Sequence, residues 1–472
     1  MSSTAPEPGD RAPRITSVMM EIRQRISSRS LAAGAKLPSV RAFAKIMQVS
    51  TSTVVEAYER LIAEGVLQSR PGSGFYVVAA LAPLSLAEIG PKLDRAVDPF
   101  WVSRLALDGQ DGMIKPGCGW MPPSWMPEEA MRRAMRTVAR ADPHLLTDYG
   151  TPLGLLSLRK LLARRLSENG VHAAPEHIML TDSGTHAIDL LCRFLLEPGE
   201  TVLVDDPCYF NFHALLRAHR VKVIGVPYTP SGPDVAAFEQ VLNEYQPRLY
   251  ITNSAIHNPT GAVLSPVTAH RVLMLAERAG LTIIEDDIFA DFEDHRAPRL
   301  AAFDGLNRVV QIGSFSKTLS SSVRCGYIAA PQRWIEPLTD LKIATSFSGN
   351  QLCEALVLAA LKDGGYRRHM EAVKVRLSRT RMETAARLRT LDIKPWIEPQ
   401  AGLFLWCSLP DGVDAAAVAR VALSKDVVLA PGNIFSQSKS ASSHMRFNIS
   451  QCDDPKFTEV LQEAIDIARA TS

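Results

Sequence analysis

Apolar positions in the first eighty residues recur at helical spacing in three successive blocks and then alternate at strand spacing in two. Ile15, Val18, Met19, Ile22 and Ile26 mark one face of a first amphipathic helix. After Gly34, Ser39 is placed to cap a second helix whose inner face is Val40, Phe43, Ala44 and Met47. Ser50-Thr51-Ser52-Thr53 repeats the cap signal, and Val54, Ala57, Tyr58, Leu61 and Ile62 predict a third helix ending at Gly65. Two β-like runs, 66–69 and 75–78, flank Pro71-Gly72-Ser73-Gly74, which reads as a hairpin with a flexible tip. This order predicts a winged helix-turn-helix, with short hydroxyls at the start of the third helix facing the major groove. Backbone N–H groups there also suit phosphate. A small helical protein-interaction module carries the same pattern and stays open on pattern alone.

Elsewhere the patterning changes. Residues 1–13 are polar and read as a frayed tail. Between 79 and 115 the periodicity fades: Pro83 and Pro91 break it, residues 94–105 fit one helix, and Asp108-Gly109-Gln110-Asp111-Gly112 is turn-rich. A semi-rigid linker with a short helix is expected over 81–113, between a head at 14–80 and a body at 114–472. In the body, helical stretches alternate with β-rich runs at 178–181, 201–204, 222–226, 249–252, 282–285, 309–312 and 325–329. That alternation predicts an α/β fold with a mostly parallel sheet covered on both faces, and ligands beyond the carboxyl ends of its strands.

Composition narrows the class. The 472 residues exceed one ordinary domain, and 46% hydrophobic with 22% charged residues excludes a disordered chain. A net charge of +2 excludes a polybasic tail, but residues 1–80 hold 10 Lys and Arg against 6 Asp and Glu. A basic head on a near-neutral body fits nucleic-acid binding by the head. Seven scattered cysteines without a CxxC pair read as reduced, packed thiols, and no metal site is expected. The first ten residues lack an apolar leader and no apolar run reaches membrane-spanning length, so the expected compartment is the cytoplasm.

The candidate chemistry sits where the strands end. Lys317, in Ser314-Phe315-Ser316-Lys317, follows the run 308–312, and Arg324 lies seven residues on. A lysine near its free pKa of about 10.4 is a poor nucleophile, and desolvation beside another cation activates it. It can then form an imine with an aldehyde, while the serines and Arg324 hold a phosphate. Ser183-Gly184-Thr185 opens a helix and suits an anion, although a simple N-cap explains it as well. Tyr209 can stack on a flat ring or merely pack. Asn258, before Pro259-Thr260-Gly261, marks a turn with or without function. Glu285-Asp286-Asp287 closes a strand, and buried acids need partners such as a pyridinium nitrogen.

Two resemblances follow from these strings. Leu37-Pro38-Ser39-Val40-Arg41, Val49 to Val54, Ala63-Glu64-Gly65 and Ser69 to Gly74 closely resemble the GntR family of bacterial transcription regulators. The likeness implies DNA contacts by Arg41, Ser50, Thr51, Ser52 and Thr53, with the wing tip Gly72, Ser73 and Gly74 in the minor groove. Many relatives carry Arg where Thr51 stands, which implies an altered operator preference. Over residues 114–470 the order of motifs is similar to the fold-type I, aspartate aminotransferase-like proteins that bind pyridoxal 5′-phosphate. That implies the same α/β fold with a smaller C-terminal α/β subdomain. It implies an internal aldimine at Lys317, Asp286 on the pyridine nitrogen, Asn258 on the phenolic oxygen and Tyr209 on the ring face. Ser183, Gly184, Thr185, Ser314, Ser316 and Arg324 would hold the phosphate. Tyr149 would reach the phosphate of a partner subunit in a homodimer with shared sites. Arg446 would fork onto a substrate carboxylate, for which bidentate geometry favours Arg.

One departure bears on activity. The family places a tyrosine shortly after the ring aspartate, where this chain has Ile288 and Phe289. Binding is then expected to survive better than turnover. Head and body together resemble the MocR subgroup of GntR regulators. That resemblance implies a regulator sensing an amino compound through an external aldimine at Lys317, with domain movement altering operator binding. An aminotransferase (transaminase) acting on an amino acid, with a regulatory head, stays open. So does a cofactor-free domain that only dimerises.

Overall fold

The structure, a computed structural model, describes residues 11–27, 31, 34–78, 107, 112–141 and 143–471. The chain divides into two units, Met1–Ala87 and Glu88–Ser472. Residues 1–10 of the expected tail and most of the expected linker, including the helix at 94–105, lie outside the described residues.

In the first unit three helices form where the apolar spacing predicts them: α1 (Arg11–Ser27), α2 (Val40–Met47) and α3 (Thr51–Ala63). Helix α1 begins at Arg11, inside the stretch expected as tail, so the tail boundary at residue 13 is corrected. Ser39 Oγ accepts from Ala42 N–H and Ser50 Oγ from Thr53 N–H, so each cap satisfies a donor with no intrahelical partner. Gly65 takes a φ of 73° after α3, a left-handed turn open to glycine at little cost. Strands β1 (Leu67–Arg70) and β2 (Gly74–Val77) pair antiparallel from Leu67↔Val77 to Arg70↔Gly74. Ile15, Val18, Phe43, Val54, Tyr58, Leu61 and Val77 meet in one core.

The second unit is built on an eight-stranded sheet of order β3-β10-β9-β8-β7-β4-β5-β6. Its strands are β3 (Ile178–Thr181), β4 (Thr201–Asp206), β5 (Lys222–Thr229), β6 (Gly232–Pro233), β7 (Leu249–Thr252), β8 (Thr282–Asp286), β9 (Val309–Ser314) and β10 (Gly326–Ala329). Strands β9, β8, β7, β4 and β5 run parallel, while β10 is antiparallel to both β9 and β3. The carboxyl end of β3 therefore lies at the same sheet edge as those of the parallel strands. Both faces are covered, which explains the unbroken apolar runs: Leu249 and Ile251 enter one core and Tyr250 the other. Near the C-terminus β11 (Lys394–Pro395), β12 (Phe404–Ser408), β13 (Ala430–Pro431) and β14 (His444–Asn448) form an antiparallel sheet of order β11-β12-β14-β13. The helices Gly364–Thr390, Ala415–Leu423 and Pro455–Thr471 contribute to its core, giving the smaller α/β subdomain. Among the described residues no helix is long and apolar enough to cross a membrane.

Candidate functional site

Five strand ends deliver the site. A cavity of about 140 Å³ is lined by Ser183, Gly184, Thr185, Tyr209, Asn258, Asp286, Ser314, Ser316, Lys317 and Arg324. These are ten residues singled out from the sequence, drawn together across 142 positions of chain. Gly119, Ile188, Asn253, Ile288 and Phe289 complete the wall.

Lys317 follows β9 because the strand ends in a tight serine turn. Ser316 N–H donates to Ser314 Oγ at 3.3 Å, and Ser314 Oγ donates to Cys325 O at 3.2 Å. Lys317 is only partly buried because it borders the cavity. Desolvation, with Arg446 adding repulsion, pulls its ammonium down to about 8, while Asp286 opposes the shift. Near neutral pH a usable fraction is the free amine that attacks a carbonyl.

The three acids at the end of β8 part ways. Glu285 turns inward and accepts from Leu300 N–H and Ala301 N–H at 2.7 and 2.9 Å. Asp287 is paired with the buried Arg299 and accepts from Gln311 Nε2. Asp286 alone lines the cavity, where Ile288 N–H donates to Oδ1 at 3.1 Å and no ion pair forms among the described residues. Burial raises its carboxyl to about 6, and the Ile288 N–H and Lys317 oppose the rise. A buried carboxylate that faces the cavity without a direct ion pair suits a pyridinium N–H.

Arg446, on β14, is fully buried between Phe404 and Phe435, with ring centroids 4.2 and 4.8 Å from its guanidinium carbon. Its partners are neutral: Nη1 donates to Asn258 Oδ1 at 2.9 Å and Nη2 to Gly117 O at 2.7 Å, while Nε has none. Burial without an acid lowers its affinity for the proton to about 10. Since an arginine only donates, the Asn258 amide must present its oxygen to Arg446, leaving Nδ2 as its remaining donor. Gly119 borders the same space, where an added Cβ would be in ordinary contact, 3.6 Å, with Lys317 Nζ.

The phosphate-type turn is a capped helix start. Ser183 Oγ accepts from His186 N–H at 3.0 Å, so the plain N-cap is present at the residues that the resemblance assigns to a phosphate. Gly326 makes room for it: a Cβ there would come within 2.7 Å of Ser183 C. Tyr209 packs edge-on against Phe212 at 5.4 Å, and burial raises its phenol. Donors, an acid, a flat aromatic and a softened lysine thus match the groups of pyridoxal phosphate. The positions following Asp286 carry no hydroxyl. Phe289 instead packs edge-on against Phe404 at 5.7 Å.

Tyr149 is not brought to this cavity. It is 79% exposed, and its ring centroid lies 4.9 Å from that of Phe347, itself 60% exposed. Asn253 was missed from the sequence, although it directly follows β7. Its Nδ2 donates to Asp286 O at 3.1 Å, and its Oδ1 is buried without a partner.

In the first unit Arg41, Ser50, Thr51, Ser52, Gly72 and Ser73 are exposed, and Gly74 partly so. Thr53 is corrected: it is buried, and its hydroxyl pairs with Ser50 Oγ at 2.7 Å, so it serves the cap and not a DNA face. The wing tip is braced by Ser73 Oγ to Tyr76 OH at 2.6 Å, with Arg70 4.4 Å over the Tyr76 ring. Arg70 was not singled out from the sequence, although it adjoins the tip glycines.

Comparison with known proteins covers both units. Residues 122–463 match the model for aminotransferase class I and II, and residues 14–77 that for bacterial regulatory proteins of the gntR family. The HTH-type transcriptional regulator YdfD of Bacillus subtilis is 27% identical over 455 residues, covering 94% of each chain. The HTH-type transcriptional regulator NorG of Staphylococcus aureus is 28% identical, covering 87% of this chain and 95% of its own. Alpha-aminoadipate aminotransferase LysN of Thermus thermophilus, solved with N-(5'-phosphopyridoxyl)-L-leucine, superposes with a TM-score of 0.72 at 25% identity. The match covers 82% of this chain and all of LysN.

Proposed function

We propose, from the premise that this chain belongs to the aminotransferase class I and II family and carries a gntR-type head in the MocR arrangement, that it is a pyridoxal phosphate-dependent transcription regulator. It senses an amine that bears a carboxylate. The observation that carries this reading is the convergence of Lys317, Asp286 and Asn258 on one small cavity, with the buried Arg446, whose partners are neutral, hydrogen-bonded to Asn258 behind its wall. A buried guanidinium lacking an acid favours a ligand carboxylate.

Bound pyridoxal phosphate supplies an aldehyde that condenses reversibly with primary amines, and a ring that withdraws electrons. Ser183, Gly184, Thr185, Ser314, Ser316 and Arg324 would hold its phosphate, and Tyr209 would cover the ring. Asp286 would keep the ring nitrogen protonated, and Asn258 Nδ2 would be the donor for the phenolic oxygen. Lys317 Nζ would be the amine that holds the cofactor and, when free, the group that takes up or gives a proton. Ile288 and Phe289 offer no second donor to the phenolic oxygen, so recognition outlasts turnover. Tyr149, exposed on its own chain, reaches the phosphate of a second copy in a homodimer. Arg41, Ser50, Thr51, Ser52 and the wing tip contact operator DNA, and ligand occupancy changes operator affinity.

Operator binding measured with and without pyridoxal phosphate and a panel of amines tests the reading. Operator affinity indifferent to every combination would sink the sensor. Retention of Asp286 at the ring favours a second reading, an aminotransferase with a tethered head. Single-turnover conversion to pyridoxamine phosphate with oxo-acid release at enzyme-like rates would establish that reading instead. Lys317→Ala should remove the absorbance of lysine-bound cofactor under either.

A further inference from the structure

The groups that brace the phosphate-binding turn extend well beyond it. Lys342, on the helix Gln332–Ser346, is fully buried, and its ammonium donates to Pro152 O at 2.6 Å and to Leu180 O at 2.9 Å. Pro152 belongs to the loop that carries Tyr149. Leu180 lies in β3, three residues before Ser183. One cation therefore ties that loop to the strand feeding the turn.

Burying an ammonium against carbonyls alone is costly. Glu354, on the helix Gln351–Lys362, offsets part of this cost by its charge and is itself buried. Its Oε2 accepts from Leu155 N–H at 2.7 Å, at the other end of the same loop. Both groups border Gly349, where an added Cβ would collide with Glu354 Oε1 and lie 3.3 Å from Lys342 Nζ. Leu180 N–H donates to Leu153 O at 2.9 Å, and Arg159 Nε to Gly154 O at 3.1 Å, so the loop is gripped along its length. The helix bearing Lys342 leads directly to Phe347, the aromatic packed on Tyr149. A loop needed only to cover the surface does not call for two buried charges from separate helices.

We infer that Lys342 and Glu354 are positioning residues that lock the Tyr149 loop to the phosphate-binding turn, so that filling the turn and presenting Tyr149 to a second copy of this chain are coupled. This rests on the role of Tyr149 given under the proposed function. Neither residue touches the cofactor. They act through β3 on one side and through the loop on the other.

The test is a thermodynamic cycle on the full-length protein, read as the Kd for pyridoxal phosphate by absorbance and the dimer dissociation constant by sedimentation. Lys342→Met leaves Glu354 without its counter-charge. Lys342→Met/Glu354→Gln therefore carries the test, since it neutralises both groups and keeps an acceptor for Leu155 N–H. The double variant should weaken cofactor binding about tenfold, the scale of a lost hydrogen bond to a charged group. It should also make the dimer dissociate at higher concentration. Adding Tyr149→Phe should produce no further loss of cofactor affinity. Losses that multiply between the two sites would overturn the coupling while leaving the role of Tyr149 intact. Unchanged affinity in Tyr149→Phe alone would overturn that role, and the inference with it. A lowered melting temperature with normal cofactor affinity in the double variant would reduce Lys342 and Glu354 to packing.

Discussion

Arg446 Nη1 donates a 2.9 Å hydrogen bond to Asn258 Oδ1, across 188 positions of sequence. The residue proposed to grip the ligand carboxylate thereby fixes the amide proposed to hold the cofactor ring. Ligand grip and ring grip share one polar contact. Substitution at Arg446 is thus expected to disturb both, and its effects sort by ligand.

Arg446→Lys keeps a charge but loses the fork that spans a carboxylate and Asn258 together. Affinity for a carboxylate-bearing amine should fall by roughly tenfold to a hundredfold, on the order of 1.5–3 kcal/mol for charged hydrogen bonds. The decarboxylated analogue should lose far less. Absorbance titration of the two ligands checks this, and equal losses would remove Arg446 from carboxylate recognition.

Reaction of the apo-protein with pyridoxal phosphate should follow the free amine of Lys317. The ammonium is held down to about 8, so the rate should rise with pH through 8 and level off above it. Asp286, ionised there because its own midpoint is about 6, raises the lysine's value. Asp286→Asn should consequently move the midpoint to lower pH. Stopped-flow absorbance across pH 6 to 10 gives the profile, and a midpoint moving upward would contradict the electrostatics.

Phe289→Tyr restores a hydroxyl to the cavity wall. If the missing donor limits proton transfer, conversion of an amino acid in a single turnover should accelerate by about tenfold or more, the low side of general acid–base contributions. Rapid-quench detection of the oxo acid measures it. An unaltered rate would place the limit elsewhere.

On the head, Arg41→Ala should weaken binding to every DNA sequence tested and lower the salt slope by about 1, as for one lost phosphate contact. Thr53→Val should instead leave operator preference alone, since Thr53 is buried in the cap. It should cost about 1 kcal/mol of stability, the usual scale of a damaged cap. Fluorescence anisotropy over a salt series and thermal melts separate the two outcomes.

Much of the architecture was legible in the chain. Strands buried on both faces read as unbroken apolar runs, and the polar residues that punctuate them mark carboxyl ends where ligands bind. Lys317, Asp286, Asn258 and Ser183 stand at such ends, so local pattern and chain order sufficed to pick them, with family likeness supplying their roles. The helical periods of the head and the Ser39 and Ser50 caps were legible for the same reason, because their hydrogen bonds span only three residues.

Only the tertiary structure decided what depends on partners distant in sequence. Glu285, Asp286 and Asp287 are equivalent as a string. They separate because Arg299 claims Asp287 and the helix start at Leu300 claims Glu285, which leaves Asp286 to the cavity. Thr53 looked like its exposed neighbours until the turn of α3 placed it inward. Asn253 stands at the end of a strand, but its pairing, like that of Lys342, has no local trace, since their bonds reach 33 positions for the one and 162 and 190 for the other. Sequence periodicity encodes which face of an element is buried, whereas the pairing of individual polar atoms is settled when the elements pack.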